Sequence, residues 1–473
     1  MKIKNFFFLI CAGILAVISL TLISDAYGSG DEPDLPVGLE DGTESAEPEL
    51  PLGLGVEEKS GTKDVSPQTS TGILSDLGGF WEIRCGIRTQ DDPHEKDFSL
   101  GETRFQLETQ KSLYPFLLNL KTDFLYDPVF DHHTVRLEDG DGFVDLREAN
   151  AFFAPFDSVD IKIGRQILTW GTGDMLFLND LFPKDWKSFF IGRDVEYLKA
   201  PSDAIKVSIF STIVDVDIVY TPRFDPDRFI EGERISYWNS MLNRRAGQDA
   251  TVDVVEEDEW LQDSETAVRI SRNIRGYEIS AYGYYGFWKS PAGFDPTSGK
   301  ATFPELSVYG MSFRGNLLKG IGNLEFSYYE TRDDQDGDDP YVRNSEFRNL
   351  VGYEQEIATN FTLGVQYYVE YMLDYDSYLD HLPEGTVTGD ELRHVFTVRL
   401  TKLLMNQNLK LSLFTFYSPS DQDAYLRPLI QYKIDDNWVI EGGGNLFVGE
   451  EDFTFFGQFE KNSNVYAGLR YGF

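Results

Sequence analysis

Apolar and polar side chains alternate along most of the chain from about Leu77 onward. In the run 361–371, apolar or aromatic residues take most of the alternate positions, and the residues between them are largely polar or glycine. Because the side chains of a β-strand point to opposite faces in turn, a period of two predicts a strand with one apolar face. Further runs of this kind occupy residues 81–88, 116–124, 205–209, 214–220 and 392–400. The longer runs reach roughly ten residues, the length with which a tilted strand crosses a lipid bilayer.

The end of the chain shows this alternation in its clearest form. Val465, Leu469 and Phe473 fall on one face, and Arg470 falls on the other among small or polar residues. A membrane barrel closes on its last strand, and a terminal aromatic residue then lies at the lipid–water interface. We therefore predict that residues 464–473 close a barrel.

Short and long connections alternate between the predicted strands. The turn 435–437 is brief, whereas the connections 221–264, 289–303, 331–344 and 374–390 are long and acidic. Tight turns at one end and long loops at the other are typical of outer-membrane barrels, which usually have an even number of strands. The pattern predicts an all-β fold over residues 76–473, a transmembrane antiparallel β-barrel of about 16 or 18 strands with an aqueous lumen. The alternative is a soluble all-β protein, whose strands rarely place so many charges opposite so many aromatic residues.

Two segments precede the alternating region. Residues 1–26 have a basic start, an apolar run and small residues before the predicted cut after Ala26, which indicates a signal peptide; an uncleaved anchor is the alternative. Residues 27–75 are acidic and rich in Pro and Gly, and we predict that they are disordered because they can bury little apolar surface. Glu32–Leu39 and Glu47–Leu54 repeat one motif. The repeat is either a duplicated linker or a pair of motifs that dock to a periplasmic protein or enter the pore.

Composition narrows the functional classes. The formal net charge of −37 argues against binding to nucleic acid, which requires basic surfaces. The mean hydropathy of −0.32 excludes a membrane protein built from several helices, but it is compatible with a barrel because half of each strand faces water. Of the two cysteines, Cys11 lies in the predicted signal peptide, so Cys85 is expected to form neither an intramolecular disulfide nor a cysteine metal site.

The stretch from Ile161 to Ala204 is the strongest candidate for a functional site. It follows a predicted strand and then becomes rich in Gly, Asp and aromatic residues. A long loop that folds into a barrel narrows the pore and sets its selectivity. The candidates for a pore constriction are Arg165, Asp174, Asp180, Lys184, Asp185, Arg193 and Lys199. The alternative is that these residues only form ion pairs that hold the loop in place, and Trp170 is expected to be a packing anchor.

Part of this stretch resembles a known group of barrels. Three motifs carry the resemblance: Leu146-Arg-Glu-Ala-Asn150, then Gly164-Arg-Gln166 with Trp170-Gly171, then Asn179-Asp180 with Pro201-Ser-Asp-Ala204. This succession resembles a mostly uncharacterised family of porin-like outer-membrane barrels of Gram-negative bacteria, with the clear match confined to about residues 140–210. The resemblance implies the barrel fold and the passage of solutes, and it does not specify which solute passes.

The sequence carries no signature of an enzyme. It contains no Gly-x-Ser-x-Gly elbow, no P-loop and no paired-cysteine site, so we predict no catalytic residue, no cofactor and no metal ion. His132 and His133 are adjacent in a predicted outer loop, but adjacent side chains of an extended chain point apart and cannot easily share a metal ion.

The predicted function is that of an outer-membrane porin-like channel for the passive or facilitated passage of small polar solutes. Predicted inward-facing cations would favour anionic solutes; they are Arg84, Arg88, Lys121, Arg393, Arg399 and Arg470. The expected partners are outer-membrane lipid, lipopolysaccharide and the solutes, with a periplasmic protein as a candidate at residues 27–75 and no nucleic acid. A structural or scaffolding barrel that recruits a periplasmic partner through the N-terminal repeats is the alternative. The oligomeric state is left open.

Overall fold

The computed structural model describes residues 77–129 and 134–473. Within these ranges the chain forms 22 strands, most of them long and antiparallel. The strands are β1 Leu77–Arg88, β2 Phe98–Leu113, β3 Phe116–Tyr126, β4 Val144–Phe156, β5 Val159–Ile167, β6 Pro201–Ile209, β7 Asp215–Thr221, β8 Tyr237–Asn239, β9 Arg244–Ala246, β10 Glu265–Ile274, β11 Tyr277–Phe287, β12 Gly293–Asp295, β13 Lys300–Thr302, β14 Glu305–Leu317, β15 Gly320–Thr331, β16 Glu346–Ala358, β17 Phe361–Met372, β18 Leu392–Leu404, β19 Leu409–Ser418, β20 Asp423–Lys433, β21 Trp438–Gly449 and β22 Asn464–Gly472.

Helices are few and short in the described residues. The α-helices span Trp186–Ile191 and Tyr375–His381, and the 3₁₀ helices span Val195–Leu198 and Gly457–Asn462. No helix in this part of the chain is long and apolar enough to cross a membrane. The predicted signal peptide, the acidic segment 27–75 with its repeats, and the pair His132–His133 lie outside the described residues.

Eighteen of the described strands form one closed antiparallel barrel. Each strand pairs with the next one along the chain, except that β7 pairs with β10 and β11 pairs with β14. The remaining strands form two separate hairpins within loops, β8–β9 and β12–β13. The last strand pairs with the first, so that Val465 lies opposite Ile87 and Tyr471 lies opposite Trp81. The predicted barrel and the closing role of its C-terminal strand are confirmed, and the number of strands is 18.

The long connections share one end of the barrel. Successive strands run in opposite directions, so the connections 89–97, 168–200, 222–264, 288–304, 332–345, 373–391 and 450–463 all lie at the end called the loop end. Short turns join the strands at the other end, the turn end, where β1 begins and β22 ends. The predicted alternation of short turns and long acidic loops is therefore confirmed.

The outer surface of the barrel carries the apolar side chains. On β1, Trp81, Ile83 and Ile87 are exposed, whereas Glu82 and Arg84 are buried inside the barrel. Outward-facing aromatic residues form one belt near each end. The belt at the turn end contains Trp81, Tyr277, Trp438, Tyr471 and Phe473, and the belt at the loop end contains Tyr285, Tyr309, Tyr328, Tyr371 and Tyr417. An apolar band between two aromatic belts is the surface of a barrel that spans a membrane.

The main apolar core lies inside the barrel. It joins the connection 168–200 to inward-facing residues of several strands, among them Leu100 on β2, Leu350 on β16, Tyr425 on β20 and Phe447 on β21. A barrel of 18 strands is wide enough for an aqueous lumen. In this protein, the connection between β5 and β6 occupies the half of the lumen nearer the loop end, and this placement defines the candidate site.

Candidate functional site

Residues 168–200, between β5 and β6, enter the barrel and are called the crossing segment. Residues next to the short helix Trp186–Ile191 determine where that helix begins and ends. The carboxylate of Asp185 caps the helix by accepting a hydrogen bond from the backbone N–H of Ser188 at 2.7 Å. Gly192 ends the helix with a left-handed backbone angle φ of 99°, which favours glycine. Outside this helix, the crossing segment is held mainly by the barrel wall.

The first part of the crossing segment is bound to β15. The carboxylate of Glu325 accepts hydrogen bonds from the Thr172 hydroxyl and from the Asn179 amide, each at 2.8 Å. The amide oxygen of Asn179 accepts a hydrogen bond from Ser327 at 2.8 Å, and Tyr329 donates to the carbonyl of the neighbouring residue 178 at 2.6 Å. Alternate residues on the inner face of one strand thus hold residues 172–179.

A second contact joins the same part of the segment to β17 and β18. The Nη2 atom of Arg399 lies 2.6 Å from Oδ1 of Asp174, and Nε of Arg399 bonds to the other carboxylate oxygen. The backbone N–H of Asp174 donates to Gln366 at 3.1 Å. The side chains of Asp174 and Arg399 are 20% and 21% exposed, so water reaches this ion pair from the lumen.

The later part of the segment is bound on the opposite side of the barrel. Arg193 and Glu102, on β2, form a buried ion pair with an Nη2–Oε2 distance of 2.6 Å. The carbonyl of Phe190 accepts hydrogen bonds from Asn445 on β21 at 3.1 Å and from Asn464 on β22 at 2.9 Å. Around the barrel, β2 and β15 are half a circumference apart. The crossing segment therefore reaches from one wall to the opposite wall.

Apolar side chains fill the space between these anchors. The ring of Phe190 lies 5.0 Å from that of Phe447 and 5.1 Å from that of Phe459, measured between centroids. Trp170 is buried and packs edge-on against Phe182 at 4.9 Å, which confirms its predicted role as a packing anchor. A cavity beside Trp170 and Phe182 has a volume of about 10 Å³, which leaves room for no more than one water molecule.

Six of the seven predicted constriction residues lie on the crossing segment, and Arg165 lies on β5. The register places Arg165 on the same face of the sheet as the exposed residue Ile163. Arg165 forms a 2.9 Å ion pair with Asp203 on β6. Arg165 therefore lies in the barrel wall near the loop end. Its ion pair joins two neighbouring strands and does not involve the crossing segment.

Five of the other predicted residues form ion pairs. Asp180 and Lys184 are buried and pair with each other at 3.0 Å. Asp185 lies 3.1 Å from Arg228, which belongs to the β7–β10 loop. Asp174 and Arg193 form the pairs with Arg399 and Glu102 described above. These contacts agree with the alternative interpretation, in which the charged residues hold the segment in place.

Lys199 differs from the other predicted residues. Its carbonyl accepts a hydrogen bond from Arg147 at 2.9 Å, but its ammonium group forms no ion pair with a residue in the described ranges. Its side chain is half-buried, and burial lowers the pKa of the amine; the nearby Asp180 opposes this shift, and Lys184 adds to it. Lys199 is thus the predicted constriction residue without an ion pair in the described part of the chain.

Several contacts of the segment were missed by sequence reasoning. The Tyr197 ring lies between two buried arginines, with guanidinium carbons 4.0 Å (Arg104) and 4.9 Å (Arg147) from its centroid. Burial raises the pKa of the Tyr197 hydroxyl, so the ring faces these cations as a neutral group. The arginines lie on β2 and β4, far from Tyr197 in sequence, and neither was among the predicted inward-facing cations.

Lys187 is a second missed contact and joins two loops. Its Nζ atom lies 2.7 Å from Asp141 and 3.0 Å from Glu231. Burial opposes the charge on Lys187, but the two carboxylates outweigh it and raise the pKa of the amine. The same pairing outweighs burial at Asp141 and lowers the pKa of that carboxyl group. Lys187 therefore binds the crossing segment to the β3–β4 loop and to the β7–β10 loop, which are distant in sequence.

Comparisons with known proteins describe the architecture only. No family model matches this chain. No curated protein matches it either. Among solved structures, it is similar to Acinetobacter baumannii OccAB3, with 10% identity, 84% of this chain and 98% of that chain covered, and a TM-score of 0.48. It is similar to Pseudomonas aeruginosa OccD3, with 10% identity, coverage of 85% and 92%, and a TM-score of 0.47. It is also similar to a mutant of Rh. blastica porin, with 11% identity, coverage of 84% and 99%, and a TM-score of 0.36.

The inward-facing cations occupy the predicted face of the barrel, but most of them are neutralised. Arg84 pairs with Glu441 at 2.7 Å, and Arg393 pairs with Asp421 at 2.6 Å. Arg399 pairs with Asp174, and Arg470 pairs with Glu82 at 2.9 Å. Lys121 faces the lumen from β3 and forms no ion pair within the described ranges. Four of the six predicted inward-facing cations are therefore paired with carboxylates, and Lys121 lies in register with Glu108 and Glu148.

Proposed function

We propose that this protein is a porin-like channel of the outer membrane for the passive or facilitated passage of small polar solutes. The observation that carries the proposal is a closed barrel with an apolar exterior and a charged interior, across which one loop segment extends from β2 to β15. In such a barrel, the inward segment limits the size of the solute and presents the groups that select it. The lipid-facing band would contact outer-membrane lipid, and the loop end would face lipopolysaccharide.

The narrowest part of the path lies beside the crossing segment in this proposal. Its half-buried side chains include Leu176, Phe177, Trp186 and Lys199, and the partly exposed Asp174–Arg399 pair lies at the same segment. These groups would border the passing solute, whereas the buried pairs Asp180–Lys184 and Arg193–Glu102 would keep the segment in position.

Selectivity would follow from lysines that form no ion pair within residues 77–129 and 134–473. Lys199 and Lys121 would offer positive charge to the lumen, with Lys121 partly offset by Glu108 and Glu148 opposite it, while most inward-facing arginines are paired. A low-dielectric channel concentrates ions of opposite charge, so these lysines would favour small anions over small cations. No cofactor enters the proposal, because the solute gradient would drive the passage.

Planar-bilayer recording of the full-length protein tests the proposal. We expect discrete conductance steps and, in a gradient of potassium chloride, a reversal potential that indicates a preference for chloride. Lys199→Gln should weaken that preference, and Asp174→Ala should raise the conductance because it releases the segment from Arg399. Lys402→Gln is the matched control: this lysine donates to the carbonyl of Thr359 near the turn end, away from the crossing segment.

One observation favours a structural or scaffolding barrel as a second candidate. The crossing segment is fastened to strands on both sides, and its apolar side chains pack against the wall, as those of a permanent plug would. A protein that stays silent in bilayers, both as the wild type and as Asp174→Ala, would contradict the channel. Capture of one periplasmic protein by residues 27–75, lost on mutation of Leu35 and Leu50, would then support the scaffold.

A further inference from the structure

The barrel wall is shortest at β5, β6 and β7. These neighbouring strands contain nine, nine and seven residues, whereas β14 to β18 contain 12 or 13 residues each. A strand rises about 3.3 Å per residue, and a tilt of about 40° then lets β7 span about 18 Å of the bilayer. The apolar band of a membrane barrel is about 25 Å tall. We therefore expect residues beyond the strands to contact lipid on this side of the barrel.

A chain of polar contacts leads from the outer face of this wall to the loops at its rim. Arg165, on the outer face of β5, donates to the carbonyl of Glu138 at 3.4 Å. The same carbonyl accepts a hydrogen bond from Arg228 at 2.6 Å, and Arg228 binds Asp145 inside the barrel, so Glu138 lies on the rim. The Glu138 carboxylate pairs with Arg223, two residues beyond β7, at 2.8 Å. The β3–β4 loop and the β7–β10 loop therefore meet on this rim.

The two loops expose large apolar side chains where they meet. In the β7–β10 loop, Trp260 and Leu261 are 65% and 69% exposed; in the β3–β4 loop, Val135 and Leu137 are 66% and 47% exposed. These four residues are called the rim patch. The Trp260 ring centroid lies 5.9 Å from the guanidinium carbon of Arg223, whose ion pair joins the two loops. Exposed apolar residues that cluster in this way mark a contact surface.

The backbone holds both halves of the rim patch against the wall. The N–H of Leu261 donates to the carbonyl of Pro222, the first residue after β7, at 2.7 Å. The carbonyl of Leu137 accepts a hydrogen bond from the N–H of Leu146, on β4, at 3.1 Å. The rim patch therefore continues, at the loop end, the exposed apolar face that includes Ile218 on β7.

Lipid is the partner that this position favours. The rim patch is continuous with the lipid-facing surface, and it adds apolar area on the side where the strands are too short to cross the apolar layer. A tryptophan beside an arginine is suited to the lipid–water interface, because the ring enters the apolar layer while the cation stays among the headgroups. Trp260 and Arg223 have this arrangement.

We propose that the rim patch inserts into the membrane leaflet at the loop end and contacts the acyl chains of its lipids. The insertion is shallow, because residues 256–259, directly before Trp260, are all acidic and remain in the water. Two loops, and not only the strands, thus form the lipid-facing surface on the side of β5 to β7. The inference rests on the barrel fold and its apolar exterior, and it is independent of whether solutes pass through the lumen.

Tryptophan fluorescence of the full-length protein in phosphatidylcholine vesicles tests the insertion. The difference between the wild type and Trp260→Phe gives the emission of Trp260 alone. Lipids brominated on the acyl chain close to the headgroup should quench this emission about twofold, whereas iodide in the water should quench it much less. Lipids brominated near the end of the chain should quench it less than those brominated near the headgroup, because the insertion is shallow.

Two further tryptophans calibrate the measurement. Trp81 lies in the turn-end belt and is 41% exposed, so the difference between the wild type and Trp81→Phe should show quenching by brominated lipid. Trp170 is buried inside the barrel, so the emission lost in Trp170→Phe should respond to neither quencher. Thermal unfolding of each variant confirms that it is folded.

Quenching of Trp260 by iodide but not by brominated lipid would overturn the inference, because the rim patch would then face water. Protection from both quenchers would also overturn it, since a second copy or another protein would then cover the patch. A barrel that conducts but leaves Trp260 in water would keep the channel and reject the insertion. Lipid quenching in a silent barrel would do the reverse, so the two failures can be distinguished.

Discussion

Glu102 on β2 and Glu325 on β15 lie on opposite walls of the barrel, and the crossing segment binds to both of them. Arg193 forms an ion pair with Glu102 at 2.6 Å, and Asn179 donates to Glu325 at 2.8 Å. Two inward-facing carboxylates thus fix the two ends of one loop segment. The segment therefore acts as a strut across the lumen, and its rigidity depends on these anchors.

The pair Asp174–Arg399 should be a weak and separable anchor. Because both side chains are about one-fifth exposed, we expect a coupling energy of about 1 kcal/mol. A double-mutant cycle with Asp174→Ala and Arg399→Ala, measured by denaturant unfolding in lipid vesicles, gives this value. The single variants should also speed hydrogen exchange in residues 172–178. Unchanged exchange there would mean that the contacts with β15 and Gln366 hold this part of the segment without the ion pair.

Removing Lys187 should cost a large part of the stability of the loop end. Lys187→Met would leave Asp141 and Glu231 facing each other without their cation, and breaking a buried pair in this way costs about 3 to 5 kcal/mol. The free energy of unfolding and the protease sensitivity of the β7–β10 loop measure the effect. Lys187→Arg is the control, since it keeps the charge and should retain most of the stability. A loss below about 1 kcal/mol in Lys187→Met would contradict the clamping role.

Gly192 should tolerate no side chain. Its backbone is in the left-handed region, and a Cβ atom at this position would lie 2.5 Å from the Tyr466 ring. We expect Gly192→Ala to cost about 1 to 3 kcal/mol of unfolding free energy, from backbone strain and the clash together. Combining it with Tyr466→Leu should recover only the part due to the clash. Full recovery in the double variant would show that the backbone angle itself is unimportant.

Glu95, in the β1–β2 loop, should make the loop end sensitive to pH. Burial raises the pKa of this carboxyl group to about 8, against the opposing effect of Arg88. Between its usual pKa and about 8, the folded protein binds the proton more tightly than the unfolded chain does, so stability should fall as the pH rises through this window.

The variant Glu95→Gln isolates this effect. From pH 5 to pH 8 we expect the wild type to lose about 1 to 2 kcal/mol relative to the variant, after allowing for the partial exposure of Glu95. Hydrogen exchange of the β1–β2 loop at several pH values measures the difference. Parallel pH profiles for the two proteins would show that the carboxyl group is ionised in the folded state.

The sequence by itself determined the barrel. Strict alternation is a local property of the sequence, and it assigns the inner and outer faces of β1, β3, β17 and β22 correctly. A register shift of one residue would move every apolar residue of a strand into the lumen, so the faces are strongly specified. Turn lengths are equally local, and they predicted one end with short turns and one with long loops. Because such barrels usually have an even number of strands, the sequence predicted 16 or 18, and the structure has 18.

Only the tertiary structure decided the contacts of the crossing segment. The abundance of charged residues identified the stretch that enters the barrel. The partners of these residues could not be predicted, because Asp174 and Arg399 are 225 positions apart and Arg193 and Glu102 are 91 apart. Alternation shows that Arg399 and Glu102 face the lumen, yet it cannot show which of many inward-facing residues meet a given point of the loop. That depends on where a loop without a repeating pattern enters a closed wall.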